Sequence, residues 1–253
     1  MKFETVKFLD ISVNPITRAE LLEFFRRSIE GNSTAVVGAH NVHSLSLAQN
    51  NKSMQEFYRR CNLAYVDGMP LVWLARALGL SLGKVHRVPF LDWYDEFFRQ
   101  ACKNGWKLFY LGGSPESSEG FDLILKQRYP GIQARIHHGY VSGVSVASLC
   151  ELINEFEPNA LLVGMGMPLQ EAWIVEALPY LKTNLVFAGG AMLEYLTGEQ
   201  KAAPRWLGPI GMEWLYRLAC RPKSLYYRYL IEPFTLLPLI IRKLREGRNY
   251  ARE

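Results

Sequence analysis

The sequence predicts an α/β protein with a mainly parallel, Rossmann-like sheet covered by helices, followed by a C-terminal helical appendage rich in basic and aromatic residues. Three observations carry this. Short apolar, β-branched runs alternate with helix-period segments up to residue 198. Three of those runs end on glycine pairs or near-pairs, and beyond Gly198 the rhythm gives way to a Trp-, Tyr- and Arg-rich stretch. Strands separated by helices are joined by crossovers, so they pair in parallel and are buried on both faces. The boundary falls at that change, giving an α/β domain over 1–198 and an appendage over 199–253.

Taken in order, residues 6–11 read as an edge strand. Thr17 with Glu20 forms a capping box that opens a helix through Ile29. Ala35, Val36 and Val37 begin a strand that breaks at Gly38, Asn41 leads into a helical pattern, and 63–66 returns as a strand ending on Asp67-Gly68. Pro70 suits the first turn of the next helix, which runs toward Leu80. Residues 83–89 form a loop in which Arg87 is free to point into a site. A helix over 91–103 precedes a strand at 107–111 that stops at Gly112-Gly113. A helix to Tyr129, a strand at 133–136, the turn His138-Gly139-Tyr140 and a helix over about 145–156 follow. A strand at 160–163, a helix to Tyr180 and a strand at 185–188 complete the series. There is no internal repeat and no low-complexity linker.

The 253 residues are 49% hydrophobic and 21% charged, the composition of a folded protein with a substantial core. Cys61, Cys102, Cys150 and Cys220 are far apart and form no CxxC pair, which fits reduced thiols in the cytoplasm. The first residues lack the apolar core of a signal peptide. No uncharged apolar run approaches the ~18–20 residues that span a bilayer. The net charge of +5 is uneven: residues 201–253 hold 11 Lys and Arg against 4 Asp and Glu, leaving 18 against 20 for the rest. A tail with its own sign usually has its own partner.

In parallel sheets ligands collect at the carboxyl ends of strands, which singles out Asn41 and Asp67, although a helix cap and a turn explain the same residues. Gly112-Gly113, Gly164-x-Gly166 and Gly189-Gly190 let a backbone approach a ligand closely ahead of a helix N-terminus, an arrangement that suits a phosphate or pyrophosphate. Neither GxGxxG after the first strand nor GxxxxGK[ST] is present, and there is no Asp-x-Asp of the kind that holds a divalent metal. His40 and His43 lack a third ligand, so helix surface or ligand contact is favoured over a metal site.

Several of these features occur in one order: Asn41, Asp67-Gly68, Arg87-Val88, the strand-end Gly112-Gly113, His138-Gly139-Tyr140, Gly166-x-Pro168-x-Gln170-Glu171 and Glu213-Trp214-Leu215-Tyr216-Arg217. In this order the chain resembles the WecG/TagA/CpsF family of bacterial glycosyltransferases over almost its whole length. The resemblance implies an inverting, metal-independent transfer from a UDP-sugar to a polyprenyl-diphosphate-linked sugar at the cytoplasmic membrane face, in cell-surface polysaccharide synthesis, without a cofactor. It places the catalytic aspartate at Asp67 and substrate-binding residues at Asn41, Arg87 and Gln170. Gly112, Gly113, Gly166 and Gly190 are the accompanying candidates for the diphosphate.

The sequence departs from the family pattern at Ala39, where threonine is common, and at Phe90, where the loop motif has glycine. Glu194 and Ala202 replace an aspartate and an arginine, and Ser224 stands at another common arginine, with Lys223 beside it. Arg217, Arg221, Ser224 and Arg228 share one face if the tail helix continues past Pro222. Arg217, Arg221, Lys223 and Arg228 are the candidates for lipid headgroups or the acceptor diphosphate. The apolar stretch over 233–241 supports a peripheral seat on the inner face of the cell membrane. A solvated helical hairpin is the plainer alternative.

Two other classes compete. The basic, aromatic tail also suits nucleic acid, but residues 1–200 are slightly acidic and nucleic acid has no use for a proline-broken apolar patch. A nucleotide-dependent oxidoreductase lacks its fingerprint. The donor sugar, of N-acetylmannosamine, uronic acid or glucose type, is not legible, and a homo-oligomer is compatible with the sequence without being specified by it.

Overall fold

A computed structural model describes residues 3–250 of the chain, with side-chain surroundings through residue 245. Residues 1 and 2, and the last three residues assigned to the appendage, lie outside the described residues.

β1 (Val6–Phe8) and β2 (Ile11–Val13) pair antiparallel. The single strand expected over 6–11 is therefore a hairpin, turning at Leu9 and Asp10 with φ of 48° and 63°. α1 (Arg18–Ile29) starts at the expected capping box, in which Glu20 N–H reaches the Thr17 hydroxyl at 3.3 Å and Thr17 N–H reaches the Glu20 carboxylate at 2.7 Å.

β3 (Ala35–His40) runs straight through Gly38. A Cβ at Gly38 would meet Phe57 at 2.8 Å and Tyr58 at 3.1 Å, so glycine here admits helix rings against the strand instead of ending it. The following helix is two helices, α2 (Val42–Asn50) and α3 (Lys52–Arg60). Asn51 both ends the first and caps the second, accepting from Met54 N–H at 3.0 Å. β4 (Leu63–Val66) leads through Asp67-Gly68 into α4 (Met69–Ala77). Then come α5 (Phe90–Asn104), β5 (Lys107–Gly112), α6 (Pro115–Arg128), β6 (Gln133–His137) and α7 (Val146–Glu155). β7 (Ala160–Gly164), α8 (Leu169–Ala177), β8 (Leu185–Ala188) and α9 (Met192–Thr197) close the series.

The main sheet has the order β4-β3-β8-β7-β5-β6 with every pairing parallel. Successive residues alternate between its faces: Val37, Leu108 and Phe187 pack with α1, α5 and α6, while Val36, Phe109 and Val186 pack with α3, α7 and α8. Parallel pairing places all six carboxyl ends along one edge. There β5 and β7, whose following connections leave in opposite directions, leave a crevice.

The tail does not form one helix. α10 (Glu213–Cys220) and α11 (Pro222–Tyr226) meet at Arg221 with φ −136° and ψ 62°, a π-helical turn (Tyr227–Ile231) and a 3₁₀ segment (Glu232–Leu236) follow, and α12 (Leu237–Tyr250) ends it. The shared face expected for Arg217, Arg221, Ser224 and Arg228 is thus broken at Pro222. Leu236 and Leu239 are buried in one apolar cluster with Phe8, Val13, Val66 and Val72. The tail is fastened to the hairpin and α4 by ordinary core packing.

Candidate active site

Two cavities meet at the carboxyl edge of the sheet. The larger, about 720 Å³, is walled by the glycine turns after β5, β7 and β8, by Glu194 and Tyr195 of α9, and by residues of the tail. The smaller, about 320 Å³, is mainly apolar and lies between Met69, Pro70 and Trp73 of α4 and Gly211, Trp214 and Pro233 of the tail. Asn41, Asp67, Arg217 and Arg228 border both.

Asp67 follows β4 and is tied to the end of β3 by its own N–H, which donates to His40 O at 2.9 Å. Asn41 caps α2: its Oδ1 accepts from Ser44 N–H at 3.0 Å, which leaves the amide nitrogen to hydrogen-bond Asp67. Burial pushes the Asp67 carboxyl above the ordinary range, while the charges of Arg217 and Arg87 and the Asn41 hydrogen bond pull it back. A half-buried carboxylate poised in this way is suited to taking up a proton.

Arg217 stacks on Tyr195 at 5.2 Å from the ring centre, and Arg228 on Tyr229 at 5.8 Å. The Nε of each arginine is buried without a hydrogen-bond partner among the described residues. Buried donors without partners are costly, and both arginines line the cavities that Asp67 borders, where their charge favours an anion.

Of the residues singled out by sequence, Asp67, Asn41, Gly113, Gly166, Gly190, Arg217 and Arg228 all border the larger cavity. The rest do not. Arg87 is not free: its Nη2 lies 2.5 Å from Glu213 Oε2 and its Nη1 4.0 Å from Asp92, so it joins the loop before α5 to the tail. Gln170 is fully buried behind the cavity wall. Gly112 serves packing, because a Cβ there would strike the backbone of Gly164 on the neighbouring strand. Arg221 is exposed and donates to Glu199 O at 2.7 Å, and Lys223 is exposed away from both cavities. His40 and His43 are not a pair. His40 is buried and stacked on Tyr58 at 3.9 Å, where burial pushes its pKa down to about 3, while His43 Nδ1 lies 2.7 Å from Glu232. Among the described residues no group of three or more His, Cys, Asp or Glu is placed to hold a metal ion.

Sequence reasoning passed over Trp73, Tyr195, Glu213 as the partner of Arg87, and Glu232. Glu232 left a signal, since it is the one acidic residue between Trp214 and Ile241 and must find a partner when buried. The others carry no local mark, because their neighbours come from distant segments.

A cavity at the carboxyl edge of a parallel sheet, lined by Asp67 and by two arginines whose Nε donors are unmatched among the described residues, can place an anionic substrate near a carboxylate able to take up a proton. The sequence matches the WecG/TagA/CpsF family of glycosyl transferases over residues 6–250, and the chain belongs to that family. It is a glycosyltransferase. Among its relatives are proteins of Staphylococcus aureus strains MRSA252, NCTC 8325 and COL, each named N-acetylglucosaminyldiphosphoundecaprenol N-acetyl-beta-D-mannosaminyltransferase. Each is 28% identical to this chain over 214 residues, a match covering 84% of this chain and 83% of the relative.

Proposed function

We propose that this glycosyltransferase moves an N-acetylmannosamine-type sugar from a UDP-sugar to a sugar carried on a polyprenyl diphosphate, with inversion and without a metal. The observation that carries the reading is the meeting of a larger, more polar cavity and a smaller, mainly apolar one at Asp67 and Asn41, with Arg217 and Arg228 at the junction. The names of the relatives supply the sugar and the lipid diphosphate.

In this reading the polar cavity holds the UDP-sugar, its diphosphate against the glycine turns and the N-terminus of α6, where Gly113 and Ser114 lie. The acceptor enters from the tail side, its diphosphate on Arg217 and Arg228 and its first isoprene units in the apolar cavity. The acceptor hydroxyl attacks the anomeric carbon from the face opposite UDP. Its proton passes to Asp67, the bond from the anomeric carbon to the diphosphate oxygen breaks, and UDP leaves with the electron pair. Asn41 holds the Asp67 carboxylate in position. Arg87 contributes positive potential from behind Glu213, in place of the direct contact that the resemblance implies.

No described helix is long and apolar enough to cross a membrane. Trp206, Tyr226, Tyr227, Phe234 and Ile241 are exposed along the basic tail, which supports a peripheral seat on the inner face of the membrane. The test is a panel of UDP-sugars with short-chain polyprenyl-diphosphate N-acetylglucosamine, with product mass and anomeric configuration measured. One added sugar of inverted configuration with chelator present is expected. Retention of configuration, or no transfer from any UDP-sugar, overturns the reading.

A further inference from the structure

Gln170 and Glu171 are 0% and 1% exposed and border neither cavity. Gln170 nevertheless touches two of the turns that wall the larger cavity. Its Oε1 accepts from Gly166 N–H at 3.2 Å and from Gly190 N–H at 3.1 Å, and its Nε2 donates to Glu171 Oε1 at 2.8 Å. Gly166 and Gly190 have φ of +80° and +58°, a region open to glycine at little cost, so neither turn is fixed by side-chain sterics of its own.

An amide oxygen has two lone pairs, and here both are used. A flipped amide would set Nε2 against two N–H donors and Oε1 against a carboxylate, so the hydrogen-bond pattern permits one orientation. We propose that Gln170 is a positioning residue that joins the turns after β7 and β8 and so sets the width of the polar cavity, with Glu171 holding the Gln170 amide in the one orientation that can do this. The proposal rests on reading that cavity as the UDP-sugar site. It removes Gln170 from direct contact with sugar or diphosphate, because its acceptor oxygen has no capacity left and its nitrogen faces away from the cavity wall, toward Glu171.

The pairing can be tested by exchange. In Gln170→Glu both glycine N–H groups keep an acceptor, but the second carboxylate oxygen faces Glu171 in a buried place. Adding Glu171→Gln restores the pattern with roles reversed: the carboxylate introduced by Q170E accepts from both glycines and from the amide introduced by E171Q. UDP affinity by calorimetry is expected to fall about tenfold in Q170A and in Q170E, and to return to within about threefold of wild type in Q170E/E171Q. Backbone amide exchange at Gly166 and Gly190, measured without ligand, should be slow in wild type, faster in Q170A and slow again in the exchanged pair. A direct contact from the Gln170 nitrogen to substrate cannot be rescued by the exchange, so a double variant as impaired as Q170E overturns the proposal. Wild-type exchange rates at both glycines in Q170A overturn it as well. Wild type that binds no UDP while the exchange pattern holds defeats the UDP-sugar reading and leaves the staple between the turns standing.

Discussion

The Arg87 guanidinium and the Glu213 carboxylate, 126 residues apart in sequence, lie 2.5 Å from one another with side chains only 8% and 18% exposed. Removing one partner strands the other charge in a poorly hydrated place. Glu213→Ala is expected to lower unfolding free energy by about 3 kcal/mol in urea titration. Because Glu213 opens the helix that carries Arg217, it should also lower kcat.

Asp67→Asn removes the proposed proton acceptor at constant shape. Turnover should fall by about 10² to 10⁴, with melting temperature and UDP affinity near wild type. The Arg217 charge lowers the Asp67 pKa against the effect of burial. Arg217→Met should therefore move the acid limb of the kcat/KM profile to higher pH, because an ionised Asp67 then needs less acid conditions.

Trp73 is 44% exposed and its ring lies over Gly211 in the wall of the apolar cavity. Contact with an isoprenoid would bury the ring, a gain of about 1.5–3 kcal/mol. Trp73→Ala should raise KM for a long-chain polyprenyl acceptor about tenfold or more. KM for an acceptor with a short alkyl in place of the prenyl chain should be unchanged, as should KM for the donor.

Burial raises the Glu171 carboxyl from the ordinary 4.5 to about 7. The folded state holds this proton more tightly than the unfolded chain, so the stability contributed is full below about pH 4.5 and is lost as pH rises through about 7. Glu171→Gln keeps an acceptor for Gln170 and does not titrate. Urea melts at pH 5 and pH 8 should show the variant gaining on wild type by up to about 3 kcal/mol at the higher pH.

The order of strands and helices was legible because each follows from local periodicity and from caps such as Thr17 and Ser114. Where local signals had two meanings, the sequence misled. Gly38 reads as a break and is a packing contact; the segment over 42–60 has one helical rhythm, but Asn51 splits it. The position of Asn41 and Asp67 at the cavity was legible because a strand end fixes where they lie. That Arg87 and Gln170 stop short of the cavity surface was not legible, since an arginine in a loop and a glutamine at a helix start point wherever a distant partner takes them. That partner is Glu213 for one, and Gly190 with Glu171 for the other.

Leu236 and Leu239 lie in one apolar cluster with Phe8 and Val13, and Lys243 reaches Asp10 at 2.9 Å. Segments from opposite ends of the chain thus complete one another. A nascent chain that has emerged only as far as Gly198 already carries the glycine turns and Asp67, but neither arginine of the junction. On the proposed assignment, synthesis in this order would build the nucleotide side of the site before the lipid side, and transfer would wait for the last segments to dock on the first.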